Sequence, residues 1–242
     1  MLLKGVALTF DEIRGGLRER IPEVNDRALG YAVRTLLALV MVPDEDARWG
    51  YPRVARFQEA EAFLGRGLDA RDAQALAARY LGAFGPAGAK DVQAWSGIGA
   101  MKAVLDGMRD RLEVFADERG RELYDLPGAP RPGSDVPAPV RYLPEFDNLV
   151  LAHDDRSRVI ADEHRPLVTT KNLRVKATFL VDGVVAGTWS IEVKRKVATL
   201  RLAPFGKLAK RVVRELEAEG DALLRFTEPA VASREFAVGE AA

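Results

Sequence analysis

The chain has no cysteine and only two histidines, His153 and His164, among its 242 residues. Without thiols there are no disulfides, no thiolate catalysis and no cysteine-ligated zinc or iron–sulfur cluster. The two histidines lack metal-ligand spacing, so no metal is expected. Gly97-Ile98-Gly99 lacks the Lys-Ser/Thr of a phosphate-cradling loop. Long apolar runs are missing as well. The longest, around residues 36–42, is too short to cross a bilayer, and no basic stretch, apolar core and small-residue cleavage site follow one another at the start. The expectation is a cytoplasmic protein that does not engage membranes.

Net charge is also absent, with 36 Lys and Arg against 36 Asp and Glu. That balance conceals a segregation along the chain. Residues 112–163 carry six basic against twelve acidic side chains, and residues 165–214 carry twelve basic against two acidic. A basic region gains affinity for a phosphate backbone by releasing counterions, provided its cations share a face. The alternative is a solvated surface paired with the acidic segment.

At 48% hydrophobic and 30% charged the chain is globular, and it is long enough for more than one domain. Thr9-Phe10-Asp11-Glu12 has the form of a capping box and predicts a helix to about Arg20. A second helix over 26–39 and short strands at 41–42 and 52–58 follow. These are the later elements of a winged helix, giving a partial unit over 1–66. The order recurs more completely over 67–126: helices at 69–84 and 89–95, a turn at 96–99, a candidate recognition helix at 100–111, and strands at 112–115 and 122–126 flanking a wing. Lys102 and Arg109 of that helix suit phosphate contact better than base readout.

Five prolines and two glycines mark 127–139 as a linker. Strands are expected at 140–151, 177–181, 184–191 and 198–202, with Asp182-Gly183 as a tight hairpin turn, then a helix over 207–219. These make a basic β-rich domain over 140–228, and 229–242 reads as a flexible tail. Lys194-Arg195-Lys196 cannot all be buried and is placed at a hairpin tip or edge, where it reaches phosphates or a groove. Trp95 and Trp189 are read as core residues.

Ala77, Arg79-Tyr80-Leu81, Gly85-Pro86-Ala87 and Asp91-Val92-Gln93-Ala94-Trp95-Ser96-Gly97 resemble the helix, Gly-Pro-Ala and Trp-Ser-Gly run of the AlkZ-type DNA glycosylases. Leu143-Pro144-Glu145-Phe146-Asp147, His153-Asp154-Asp155-Arg156, Val181-Asp182-Gly183 and Gly187-Thr188-Trp189 are similar to that family's barrel motifs, in the same order. The resemblance covers roughly residues 8–226 and the C-terminal two-thirds of the family. It implies an α+β fold of tandem winged-helix units followed by a β-barrel-like domain with a C-terminal helix, embracing double-stranded DNA, intact or damaged. In active members it implies hydrolysis of the glycosidic bond of alkylated or crosslinked purines, with no metal or organic cofactor.

Active members also carry a Gln-x-Gln or Gln-x-Asp motif in an N-terminal region that is expected to be missing here, or supplied by a partner chain. The glutamines Gln58, Gln74 and Gln93 have no Gln or Asp two positions on. That motif orients the attacking water and stabilises positive charge on the departing sugar. Asp154 and Asp155 are the remaining candidates for catalysis; the competing reading makes 153–156 a turn network. By resemblance His153 and Arg156 contact DNA, and Arg158, Lys171 and Arg174 join Lys102, Arg109 and Lys194, Arg195 and Lys196 as DNA-contact candidates. The first functional reading is repair-associated duplex binding. The others are a glycosylase using a substitute carboxylate, a winged-helix transcriptional regulator, and a structural partner of a repair protein.

Overall fold

The computed structural model describes residues 5–170 and 174–240. It is a mixed α+β structure in two compact units, Met1–Arg71 and Asp72–Ala242. The boundary lies a few residues beyond the expected 66/67. Leu68 N–H donates to Glu61 Oε1 at 3.1 Å and keeps that stretch with the first unit, while Asp72 caps the helix that opens the second.

In the first unit, α1 (Phe10–Arg18) starts at the expected capping box: Thr9 Oγ1 accepts from Glu12 N–H at 3.2 Å and Glu12 Oε2 from Thr9 N–H at 2.7 Å. It is followed by α2 (Asp26–Leu36), capped by Asn25, then β1 (Leu39–Met41), β2 (Phe57–Glu59) and α3 (Ala60–Leu64). The strands pair antiparallel. Ile13 and Val33 are buried between the helices and the hairpin, packed by Leu8, Phe10 and Phe57.

The second unit begins with α4 (Ala73–Phe84), α5 (Ala89–Ser96), α6 (Met101–Asp106) and the antiparallel hairpin β3 (Glu113–Ala116) with β4 (Glu122–Asp125). The expected helix over 100–111 is shorter. Gly107 ends it, and Arg109–Arg111 form only a 3-10 turn. The linker that follows is pinned at its middle. Asp125, 1% exposed, accepts from Arg131 at 2.8 Å, and the same guanidinium pairs with Glu113 and lies over the Phe115 ring.

Next come β5 (Arg141–Leu143), α7 (Asn148–Leu151), α8 (Arg165–Val168), β6 (Thr178–Val181), β7 (Val184–Lys194), β8 (Val197–Pro204), α9 (Lys210–Thr227) and β9 (Ser233–Val238). The single strand expected over 140–151 is thus split. Pro144 offers no donor to continue the ladder, and Asp147 caps α7 by accepting from Leu149 N–H at 2.8 Å. The strands form one five-stranded sheet in the order β5-β6-β7-β8-β9. This corrects the expected barrel: β5 and β9 are opposite edges, and α9 carries the chain over the sheet so that β9 enters parallel to β8. It also corrects the flexible tail, since Ser233–Val238 is that strand and Phe236 packs against the core.

One face of the sheet is covered by α9, whose Leu216 and Leu224 pack with Phe179, Leu200 and Leu202. The helix approaches closely because residue 220 is glycine; a Cβ there would lie 2.5 Å from Leu200. Leu180 and Val185 join Val150, Ile160 and Val168 in a further cluster. Trp189 Nε1–H donates to the carbonyls of Leu143 and Thr178, both at 2.9 Å, which makes it the internal peg expected of a core residue.

The helical half and the sheet half are joined by residues 152–158. Tyr80 Oη donates to Ala152 O at 2.6 Å. Buried Asp91 accepts from Gly88 N–H at 2.8 Å, Asp154 N–H at 2.9 Å and Asp155 N–H at 3.4 Å. His153, 7% exposed, sits edge-on to Tyr80 and Phe84 with Nε2 3.1 Å from Phe84 O. Burial, with Arg158 nearby, holds its pKa below the ordinary 6.5.

Two outcomes follow from these buried contacts. Arg131→Ala leaves the Asp125 carboxylate buried without its partner and costs about 3 kcal/mol, read as a drop in urea midpoint at unchanged m-value; a cost below ~1 kcal/mol would show that water replaces the guanidinium. For His153, the unfolded chain takes up a proton before the folded one. The stability it contributes is present above its unfolded pKa and lost as pH falls through the folded value. Melting temperature should therefore fall more steeply from about pH 7 to about pH 5 in the wild type than in His153→Gln. Equal slopes would assign the acid sensitivity elsewhere.

Candidate nucleic-acid interface

The basic segment does not gather its cations on one surface. Strand β7, at about 3.4 Å per residue, spans ~35 Å. It ends at Lys194, paired in register with Val197, so Arg195 and Lys196 are the two residues of a tight turn. Lys207, Lys210 and Arg214 follow the opposite end of β8. The expected hairpin tip is present, with both turn residues at positive φ, 49° and 65°. Such turns favour Asn-Gly, because a side chain in the left-handed region crowds its own backbone. The turn at Asp182-Gly183 meets that preference, and Arg195-Lys196 does not.

Lys194 pairs with Glu192 on its own strand. Arg195 and Lys196 are exposed and have no ion pair or hydrogen bond from their side chains among the described residues. The other candidates are differently placed. Lys102 pairs with Asp106 and Glu122, which raises its pKa, through Asp106 first. Arg109 donates to Glu122 at 2.7 Å, and this bond, then those from Tyr124 and Lys102, hold the Glu122 carboxyl down at about 2. Arg174 pairs with Glu145 at 2.9 Å. Lys171 lies outside the described residues.

The cluster over 153–158 is mostly structural. His153, expected at a DNA surface, is interior because its ring completes the aromatic cluster of Tyr80, Phe84 and Trp95. Arg156 is half-buried, with Nε donating to His153 O at 3.1 Å, and burial lowers its pKa. Arg158 donates to Pro86 O at 3.3 Å through both terminal nitrogens. Asp155 accepts from Ser157 Oγ at 2.6 Å, Ser157 N–H at 3.1 Å and Arg121 at 2.8 Å; the serine first, then the guanidinium, hold its carboxyl far below the usual range. So weak a base is a poor water activator. Asp154 differs: it is exposed, with the Arg156 guanidinium as a charged neighbour, and no hydrogen bond or ion pair to its carboxylate is found among the described residues.

Between the β3–β4 hairpin and this cluster is a cavity of about 420 Å³, into which Arg119, Arg121, Arg158, Asp91, Asp117 and Asp155 project. Guanidinium and carboxylate groups alternate there, so it has no single-sign field for a polyanion. Sequence reasoning missed Arg119 and Arg121, whose role as partners of Asp155 depends on a fold-back across 34 or more positions that no local motif signals. No helix among the described residues is long and apolar enough to cross a membrane.

A sequence model of the family described as "DNA glycosylase AlkZ-like" matches residues 1–226. Among solved structures, the Streptomyces sahachiroi DNA glycosylase AlkZ is similar over 98% of this chain, with a TM-score of 0.73 and 22% identity. This chain spans 66% of that protein's length. Comparison with curated proteins gave no match. The structural likeness, at that identity, is one of fold. The match over residues 1–226 goes further: the chain belongs to the AlkZ-like DNA glycosylase family.

Proposed function

We propose that this chain binds duplex DNA, intact or damaged, as a repair-associated member of its family, gripping the phosphate backbone with the Lys194–Lys196 turn. The observation that carries this reading is the turn itself. A two-residue connection at the end of a long strand presents three consecutive cations, two of them unpaired, in a conformation that their side chains disfavour. A positive φ at a non-glycine residue costs roughly 1 kcal/mol. Arg and Lys there stabilise nothing visible within the chain, whereas beside a polyanion each releases a counterion. The two helix–turn–helix–hairpin modules act in this reading as winged helices that position the duplex. Lys102 and Arg109 then contribute less than their sequence position suggests, because Glu122 and Asp106 already neutralise them.

Base release through Asp154 is the second reading, favoured by its exposed carboxylate, which accepts no hydrogen bond among the described residues. A carboxylate of that kind can orient water or stabilise a sugar cation. Asp155, bound by Ser157 and Arg121, is not available for that role.

Fluorescence anisotropy across a salt series, with one intact duplex and one carrying an abasic-site analogue, tests the first reading. The double variant Arg195→Asn, Lys196→Gly keeps the turn and removes its cations. It should weaken duplex binding roughly tenfold and flatten the log–log salt slope by about two, with melting temperature unchanged or higher. Unchanged affinity and slope would remove the hairpin from the interface. Release of an alkylated purine by the wild type but not by Asp154→Asn would establish the second reading in addition.

A further inference from the structure

Helix α2 follows α1 through the turn at 19–25 and leads into the β1–β2 hairpin, the place that the reading helix holds in a helix–turn–helix. Its periodicity decides which side chains leave the protein. Leu29 and Val33 are buried, and Val33 packs against Ile13. Arg27, Tyr31 and Arg34, spaced by four and three residues, line the opposite face, and all three are exposed. Tyr31 is 70% exposed, and neither its ring and hydroxyl nor the Arg27 guanidinium makes an ion pair, hydrogen bond or ring contact among the described residues. The Arg34 guanidinium lies 4.0 Å from the centroid of the Phe10 ring, which orients it without neutralising it.

Residues 27–43 contain those two arginines and no carboxylate. The adjoining Asp26 is turned to Arg18, whose Nε donates to it at 3.0 Å. Helix α6 is built on the same plan and lacks this property. Met101 and Leu105 repeat the spacing of Leu29 and Val33, and all four are buried. The residue after the second of these anchors is Asp106 in α6, where it pairs with Lys102, and Arg34 in α2. The position that cancels a cation on one helix thus adds a cation on the other. Arg27 also stands where a helix disfavours it. It is the second residue of α2, in the turn whose unpaired N–H groups carry partial positive charge and suit Asp or Glu. A cation there weakens the free protein slightly and gains only beside an anion.

We propose that α2, and not α6, is the helix that enters the major groove of duplex DNA, with Arg27 and Tyr31 at base edges and Arg34 on a phosphate. The occupant is given by charge and shape. The face carries two guanidiniums and a phenol with no competing carboxylate, and the major groove admits a helix. In that arrangement the N-terminal residues of the second helix meet the bases, and the guanidinium fork of Arg27 matches guanine O6 and N7. The inference rests on the reading that the chain binds duplex DNA and adds to it the element that reads the bases.

For the full chain and a mixed-sequence duplex, affinity is measured by anisotropy and groove occupancy by methylation of guanine N7 with dimethyl sulfate, a major-groove reaction. Guanines in the bound stretch should be protected in the saturated wild-type complex. Arg27→Glu should weaken binding about tenfold or more, with melting temperature unchanged or higher because an acidic residue suits the first turn. Unchanged N7 methylation in the saturated wild-type complex overturns the proposal, and so does full affinity in Arg27→Glu. Both results leave duplex binding itself in place, with its grip at the Lys194–Lys196 turn. Absence of any duplex binding by the wild type removes that reading and the proposal with it. A wild-type dimer in sedimentation that Arg27→Glu splits, with N7 methylation unchanged, would give the face to a second copy and overturn the proposal too.

Discussion

The buried Asp91 carboxylate is what the second unit depends on. Its two oxygens accept from the first turn of its own helix and from the backbone of Asp154 and Asp155, more than sixty positions away. Removing a charged acceptor from such a site leaves several buried N–H groups unsatisfied at once. Tyr80 and His153 reinforce the same junction through Phe84 and Ala152. The helical module and the five-stranded sheet, expected as separate domains, therefore belong to one compact unit. A flexible linker would allow that, but the linker here is itself anchored by Arg131 on Asp125.

This junction also explains why the 153–156 motif was legible as important but not in its role. A histidine, two aspartates and an arginine in a row have the chemistry of a site, and only packing tells which of them face inward. Burial takes His153 and part of Arg156, hydrogen bonds take Asp155, and Asp154 alone is left to solvent. Elements fixed by local chemistry were readable: the capping box at Thr9, the Asp182-Gly183 turn and the two-helix-plus-hairpin order. Elements fixed by tertiary packing were not. Ser233–Val238 is a strand because β8 offers it a ladder and the core takes Phe236, and its short alternating pattern carries no turn signal to announce it. The barrel expectation failed for the same reason, since closure is a property of edges that lie far apart in sequence.

Charge shows a similar division between composition and geometry. The excess of cations over residues 165–214 is real, but β8 holds its two concentrations apart, and neighbouring carboxylates neutralise several members. Surface ion pairs of this type add little stability. They do lower the field available to a polyanion, so a count of Lys and Arg overstates the interface. What singles out Arg195 and Lys196 is that side chains without an ion pair or hydrogen bond among the described residues are combined with backbone conformations suited to other residue types.

The same comparison of local cost with local gain bears on the chemistry. A group that hydrolyses a glycosidic bond must hold a water or a sugar cation, which requires a carboxylate or amide with spare acceptor capacity. Asp91, Asp117, Asp125 and Asp155 have given that capacity to backbone amides, serine and arginine within the fold. Carboxylates committed in this way rigidify the fold and have little acceptor capacity left for water. Asp154 is the exception within the motif, beside a cavity of about 360 Å³ also lined by Lys102, Arg121 and Tyr124. Asp154 lines a cavity beside the β3–β4 hairpin, whereas the Arg195–Lys196 turn lies between β7 and β8, at the end of β7 away from the Asp182-Gly183 turn. Binding and any base release are thus separable in this fold, and affinity at the hairpin does not by itself imply catalysis at Asp154.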